Sequence, residues 1–182
     1  MLGIDPGTAT MGWGVIRQEG IRLRYVQHGA ITTPSTWPMP RRLGRLFDGV
    51  TELVEGYAPQ AVAVEELFFN TNVTTGISVG QARGVAILAA YRAGIEVAEY
   101  TPLQVKQAIT SYGRADKRQV QEMVKALLKL PDIPRPDDAA DGLAIAICHA
   151  FTVRMGGARS QEAASDAAAR PPRTPSSRPG SR

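Results

Sequence analysis

Short apolar runs broken by turn residues open the chain, and their spacing predicts strands. "LGID", "MGWGVIRQ" and "IRLRYVQHGAITT" each read as extended, and the "EG" between the second and third is a hairpin connection. Three antiparallel strands are the simplest arrangement. In "PRRLGRLFDGVTELVEGY" the period changes: Leu43, Leu46, Phe47, Val50, Leu53 and Val54 recur at three and four residues, the signature of an amphipathic helix. "AVAVEELF" stays apolar until Glu65 and Glu66, as a strand covered on both faces does. "GISVGQARGVAILAAYRAG" reads as a helix whose Gly80, Ala82, Gly84, Ala86, Ala89 and Ala90 permit close approach of another element. "IEVAEY" is a short strand. "TPLQVKQAIT" begins a helix with Thr101 as N-cap and Pro102 in the first turn. "DKRQVQEMVKALLKL" and "DDAADGLAIAICHAFTVR" add two more helices. The order predicts an α/β domain, a mixed five-stranded sheet flanked by helices.

Composition divides the chain. Residues 156–182 are poor in large apolar side chains and rich in Pro, Ser, Ala and Arg, which predicts a flexible tail after a folded domain spanning 1–155. The formal net charge of the whole chain is +4, but the tail carries +3 of it and leaves +1 for the folded part. A nucleic-acid surface on that part must therefore be a local patch. Cys148 is the only cysteine, which excludes an intramolecular disulfide and a cysteine-cluster metal site. No apolar run reaches the roughly 18 residues that span a bilayer, and no basic segment leads into a long apolar region. These features predict a cytoplasmic protein without a membrane partner.

The carboxylates have an uneven placement. Asp5 ends the first strand, Glu65 and Glu66 end the "AVAV" strand, and Asp137, Asp138 and Asp141 gather at the start of the last helix. If the two strands are parallel neighbours, Asp5 and one glutamate share a rim of the sheet. Asp141 shares a helix face with Asp137 or Asp138, so that two acids of this cluster can point at the same rim. Converging carboxylates repel unless cations neutralise them. Two hard divalent ions meet that need and leave positions for phosphate oxygens, which suggests hydrolysis of a phosphodiester. Each acid alone has a structural alternative, as a turn residue or a helix cap.

The segments "LGIDPGTATMGWGVI", "VAVEELFFNTN", "VGQARGVAI", "QVKQAIT", "DKRQVQEMV" and "DDAADGLAIAICH" stand in the order and spacing of the RuvC family of bacterial Holliday-junction resolvases. The resemblance covers almost all of residues 1–155. It implies an RNase H-like fold and a homodimer that nicks four-way junction DNA symmetrically. It also implies two divalent ions per subunit, Mg²⁺ or Mn²⁺, and cuts that leave 5′-phosphate and 3′-hydroxyl ends. The family's acidic tetrad falls on Asp5, Glu65, Asp138 and Asp141, which leaves Glu66 for the other strand face and Asp137 for capping. Its basic positions fall on Lys106 and Lys117, groups suited to holding the scissile phosphate or stabilising charge that develops there. Phe68 matches an aromatic that stacks at the junction centre, whereas Phe69 is read as a possible core anchor. Arg83 has two readings, a backbone contact or an ion pair on its own helix. His149 lies two turns beyond Asp141, but the carboxylates suffice without it. By the same resemblance, the partners are junction DNA, a second copy and the branch-migration proteins RuvA and RuvB.

Rival readings make other demands. An actin-like or sugar-kinase-like nucleotide site also begins with a strand and an Asp-Gly-Thr-type loop, but it needs a second lobe, and 182 residues leave little room for one. A non-cleaving junction-binding module would tolerate loss of a tetrad acid, and all four are present. A nuclease acting on RNA differs in substrate alone.

Overall fold

The computed structural model describes residues 1–66 and 73–169. The chain divides into two units, Met1–Phe151 and Thr152–Arg182, and the first contains the whole sheet. Its strands are β1 (Leu2–Asp5), β2 (Thr10–Glu19), β3 (Arg22–Thr32), β4 (Ala61–Glu65) and β5 (Glu96–Tyr100). They lie in the order β3-β2-β1-β4-β5. β1, β2 and β3 pair antiparallel, while β4 pairs parallel with both β1 and β5. The predicted mixed five-stranded sheet is therefore present. β4 is shorter than "AVAVEELF" suggested and ends at Glu65.

Two apolar layers cover the sheet because its strands alternate. Leu2, Ile4, Val62 and Val64 point to one side, where they meet helices α1 (Met39–Tyr57) and α2 (Val73–Arg92) through Leu46, Val50, Val54, Ala82, Ala86 and Ala90. Burying each large aliphatic side chain in this layer contributes roughly 1.5–3 kcal/mol. Ile16, Ala63 and Tyr100 face the other side, against α3 (Pro102–Thr110), α4 (Lys117–Leu128) and α5 (Asp137–Ala169). Capping boxes start two of these helices: Thr101 and Gln104 for α3, Asp116 and Gln119 for α4. The small residues of α2 have divided roles. Its alanines are buried, whereas a Cβ added at Gly84 would meet nothing within 4 Å.

Contact between α5 and the sheet is much closer than ordinary helix packing. A Cβ built on Gly3 would lie 2.1 Å from the Gly142 carbonyl oxygen, and one on Gly12 would lie 1.9 Å from that of Asp138. A Cβ on Gly14 would collide with Leu143, and one on Gly142 with the Trp13 backbone. Asp138, Gly142 and Ala146, four residues apart, thus form the helix face that rests on β1 and β2. At its other end α5 runs to Ala169, past Gly156, where composition places the start of a flexible tail. The alanine-rich "EAASDAAA" has strong helix propensity, which the shortage of large apolar residues concealed.

Replacing Gly12 with Ala should lower stability in urea by about 1–3 kcal/mol or more through overpacking. Gly44→Ala, inside α1 where an added Cβ meets nothing within 4 Å, should instead stabilise by about 0.5–1 kcal/mol. Equal effects of the two substitutions would contradict the close seating of α5.

Candidate active site

Strand alternation determines which carboxylates meet. Leu2 and Ile4 enter the α1–α2 layer, so Gly3 and Asp5 face α5. On β4, Val62 and Val64 take the α1–α2 side and Ala63 the other, which puts Glu65 on the α5 side as well. The parallel register pairs Ile4 with Val64, so the next step along both strands sets Asp5 beside Glu65. On its other side Asp5 pairs with Gly12, the residue over which Asp138 is seated. Helix α5 begins at Asp137, so Asp137 and Asp138 lie in its first turn and Asp141 follows within one turn.

The result is a compact acidic cluster. One carboxylate oxygen from each of Asp5, Asp138 and Asp141 lies within 4.8 Å of the others. Beside them is a cavity of about 250 Å³ lined by Asp5, Glu65, Asp141, Lys106 and Lys117. Its inner wall is apolar, made by Val105, Val120, Ala144 and Ile145. The Lys117 ammonium sits 3.1 Å from Asp141 and 3.8 Å from Asp137.

Electrostatics follow from this crowding. Burial pushes the Asp5 carboxyl up to about 7, and the negative charges of Glu65, Asp141 and Asp138 add to the shift against the opposing pull of Lys117. Glu65 is also raised to about 7, first by burial and then by Asp141, with Lys106 opposing. Burial raises Asp141 despite its hydrogen bond from Lys117. For Lys117 burial acts downward, but the hydrogen bond to Asp141 and the charges of Asp141, Asp137 and Asp138 outweigh it and raise the value. Acids that hold protons near neutrality for lack of positive charge, with several oxygens converging, form a donor set that fits hard divalent cations.

The positions expected from the sequence largely come together. Asp5, Glu65, Asp141, Lys106 and Lys117 line one cavity, and Asp138 joins Asp5 and Asp141. Phe68 and Phe69 lie outside the described residues. Asp137 starts α5 and faces Lys117. Arg83 pairs with Glu99 of β5, so its ion pair is not on its own helix. His149 is buried, with Nδ1 2.8 Å from the Tyr100 hydroxyl, and Cys148 is buried beside it in sequence. The apolar wall was not anticipated. Val105 and Val120 are ordinary core positions of amphipathic helices, and nothing in their spacing marks them as neighbours of the acids.

The pKa shifts imply a cost to the metal-free fold. Asp5 binds a proton more tightly when folded than when unfolded, so its favourable contribution is complete below about 4 and declines as pH rises through about 7. In a metal-free buffer, Asp5→Asn should therefore have a higher Tm than the wild-type chain at pH 8, with the gap closing toward pH 4. A gap that is constant with pH, measured by thermal unfolding in chelator, would contradict the burial of a charged Asp5.

Comparisons with known proteins give the family. The family model described as "Crossover junction endodeoxyribonuclease RuvC" matches residues 1–149. The crossover junction endodeoxyribonuclease RuvC of Rubrobacter xylanophilus is 85% identical over 158 residues, covering 87% of this chain and 88% of the relative. That of Chloroflexus aggregans is 61% identical over 151 residues, covering 83% and 92%. Thermus thermophilus RuvC, solved in complex with a Holliday junction substrate, superposes with a TM-score of 0.81 at 42% identity, covering 85% of this chain and 94% of that one. On sequence and structure together, this chain belongs to the RuvC family.

Proposed function

We propose that this chain is a crossover junction endodeoxyribonuclease that cuts four-way DNA junctions by metal-dependent phosphodiester hydrolysis, acting in recombination and repair. The observation that carries the reading is the meeting of Asp5, Glu65, Asp138 and Asp141 at one sheet rim with Lys106 and Lys117 beside them. Residues 1–155 act as the nuclease domain, and 156–182 are an appendage to it.

In this reading the four acids hold two divalent cations, with Mg²⁺ the first choice and Mn²⁺ the alternative. When bound, such ions supply a more acidic attacking water and neutralise charge on the departing 3′ oxygen. The protein's own groups do the rest. Asp5 and Glu65, which carry protons near neutrality, must release them as cations enter, so metal affinity rises with pH through about 7. Lys117 is tied to Asp141 at 3.1 Å and would be free for a phosphate oxygen if Asp141 served as a metal ligand. Lys106 lines the same cavity as a second positive group. The apolar wall limits water around the reacting phosphate and strengthens these interactions. Phe68 is assigned, by resemblance alone, to stacking at the junction centre.

Paired nicks on symmetric strands call for two active sites related by a two-fold axis. The surface offered by α2 suits a second copy: Ile77, Leu88 and Tyr91 are 57%, 50% and 76% exposed, and Gly84 lies on the same stripe. Their spacing of seven, four and three residues keeps them on one helix face. RuvA and RuvB enter as partners through the resemblance. No described helix is long and apolar enough to cross a membrane, and the proposed location is the cytoplasm with the DNA.

Asp5→Asn should abolish cutting of a synthetic four-way junction in Mg²⁺ while retaining junction binding in a gel-shift assay. Junction, linear duplex and RNA substrates compared side by side would separate resolvase from general nuclease activity, and normal nicking by the variant would overturn the tetrad assignment. Leu88→Glu should convert a dimer to a monomer in light scattering and turn paired cuts into single nicks. A variant that stays dimeric would exclude the α2 stripe as the interface.

A further inference from the structure

The rim that bears the acids extends beyond them, and its far part has a second concentration of positive charge. Between Thr33 and Phe47 the chain contains Arg41, Arg42 and Arg45 and no acidic residue. β3 ends at Thr32, paired with Thr10 at the start of β2, and β1 ends at Asp5, paired with Gly12. The connection from β3 therefore starts α1 at the same end of the sheet as the acids. Two strand spacings, about 10 Å, separate β1 from β3.

Several side chains there are held in place by contacts within the chain. The Arg41 guanidinium lies 3.9 Å from the centre of the Trp37 ring, which keeps the guanidinium plane supported and its N–H groups free at the edges. Arg42 Nε donates to Thr33 Oγ1 at 2.8 Å. Thr33 in turn donates its hydroxyl to the Thr8 carbonyl and its backbone N–H to the Ala9 carbonyl, so this part of α1 is tied to the loop that follows Asp5. Arg45, one turn beyond Arg41, has only a loose pair with Glu52 at 3.6 Å. Among the described residues, no carboxylate forms an ion pair with Arg41 or Arg42.

We propose that Trp37, Arg41 and Arg45 form a second contact for the sugar-phosphate backbone, gripping the duplex arm that leaves the acid cluster across the β1–β3 end of the sheet. A guanidinium supported on an aromatic face, with a second one a helical turn away, suits phosphate oxygens, and both start from the end of the sheet at which the acids lie. Arg42 is the strut: its bond to Thr33 connects the gripping surface to the loop after Asp5. The inference rests on junction DNA being the substrate.

The test is equilibrium binding of the full chain to a fluorescent four-way junction in Ca²⁺ or chelator across a salt series. Arg41→Ala/Arg45→Ala should weaken binding about tenfold near physiological salt and lower the slope of log affinity against log salt by about two, one for each lost phosphate contact. Arg22→Ala/Arg24→Ala removes the same charge from the opposite end of β3, roughly 30 Å away along the strand, and should leave both quantities unchanged. Wild-type affinity and slope in the Arg41/Arg45 variant would overturn the proposal, as would equal weakening by both pairs, which would reduce the effect to net charge. If the variant binds as the wild type while Asp5→Asn still loses cutting, the second contact fails and the resolvase reading survives. A wild-type chain without affinity for the junction would overturn both.

Discussion

Everything at the site depends on how closely α5 rests on β1 and β2. Gly3, Gly12 and Gly14 on the strands face Gly142 and its neighbours on the helix, and a single methyl group at Gly3, Gly12 or Gly142 would meet backbone within about 3 Å. Ordinary side chains at these positions would hold α5 farther from the strands and carry its aspartates away from Asp5. With the glycines in place, Asp138 sits over Gly12, the cross-strand partner of Asp5. The "MGWGV" pattern, in which glycine alternates with large residues, is therefore a two-sided device. Met11 and Val15 fill the α1–α2 core while Gly12 and Gly14 open the other face to the helix.

The same closeness creates the electrostatic conflict. Asp5 and Glu65 are carried into a region with an apolar wall, and burial is the largest cause of both upward shifts, ahead of mutual repulsion. Lys117 and Lys106 relieve the conflict in part. Lys117 is half exposed, so its pairing with Asp141 is weak by the standard of buried pairs and easily exchanged. A fold optimised for stability would place an apolar or amide side chain at Asp5. Retaining an acid there is the mark of a site whose missing charge is supplied by a ligand.

Much of this was legible in the sequence, and the exceptions have physical causes. Strand and helix periods revealed the layers, and alternation along β1 and β4 gave the acids a common rim once parallel pairing was assumed. Choosing Glu65 over Glu66, or Asp138 over Asp137, was beyond spacing alone. Both choices depend on which strand face meets α5, and that is decided by glycines several residues away. Gly84 and the α2 alanines read alike as small residues, yet only the alanines pack against α1, because their helix face is the one turned to the core. Arg83 reaches Glu99 on β5, the strand that follows its helix, a pairing that helix periodicity alone does not contain. The extension of α5 past Gly156 reflects backbone propensity winning over the absence of a core.

Parallel pairing of β1 with β4 is the remaining necessity. β4 is five residues long, so an antiparallel β4 would carry Glu65 to the other end of its strand, about 13 Å along the sheet from its place beside Asp5. Parallel strands require a crossover, here supplied by β2, β3 and α1, and that crossover begins its helix at the acid-bearing end. The connection that brings Glu65 beside Asp5 thus also starts the helix that carries Arg41, Arg42 and Arg45 at the same end of the sheet. At the other flank, α5 presents its N-terminus, whose partial positive charge favours Asp137 and Asp138 in the first turn by about 0.3–1 kcal/mol each. Helix ends and basic side chains at this rim all favour negative charge. They are too weak to keep Asp5 and Glu65 fully ionised near neutrality, and the deficit that remains is one that a divalent cation, and then a phosphate drawn to it, is suited to fill.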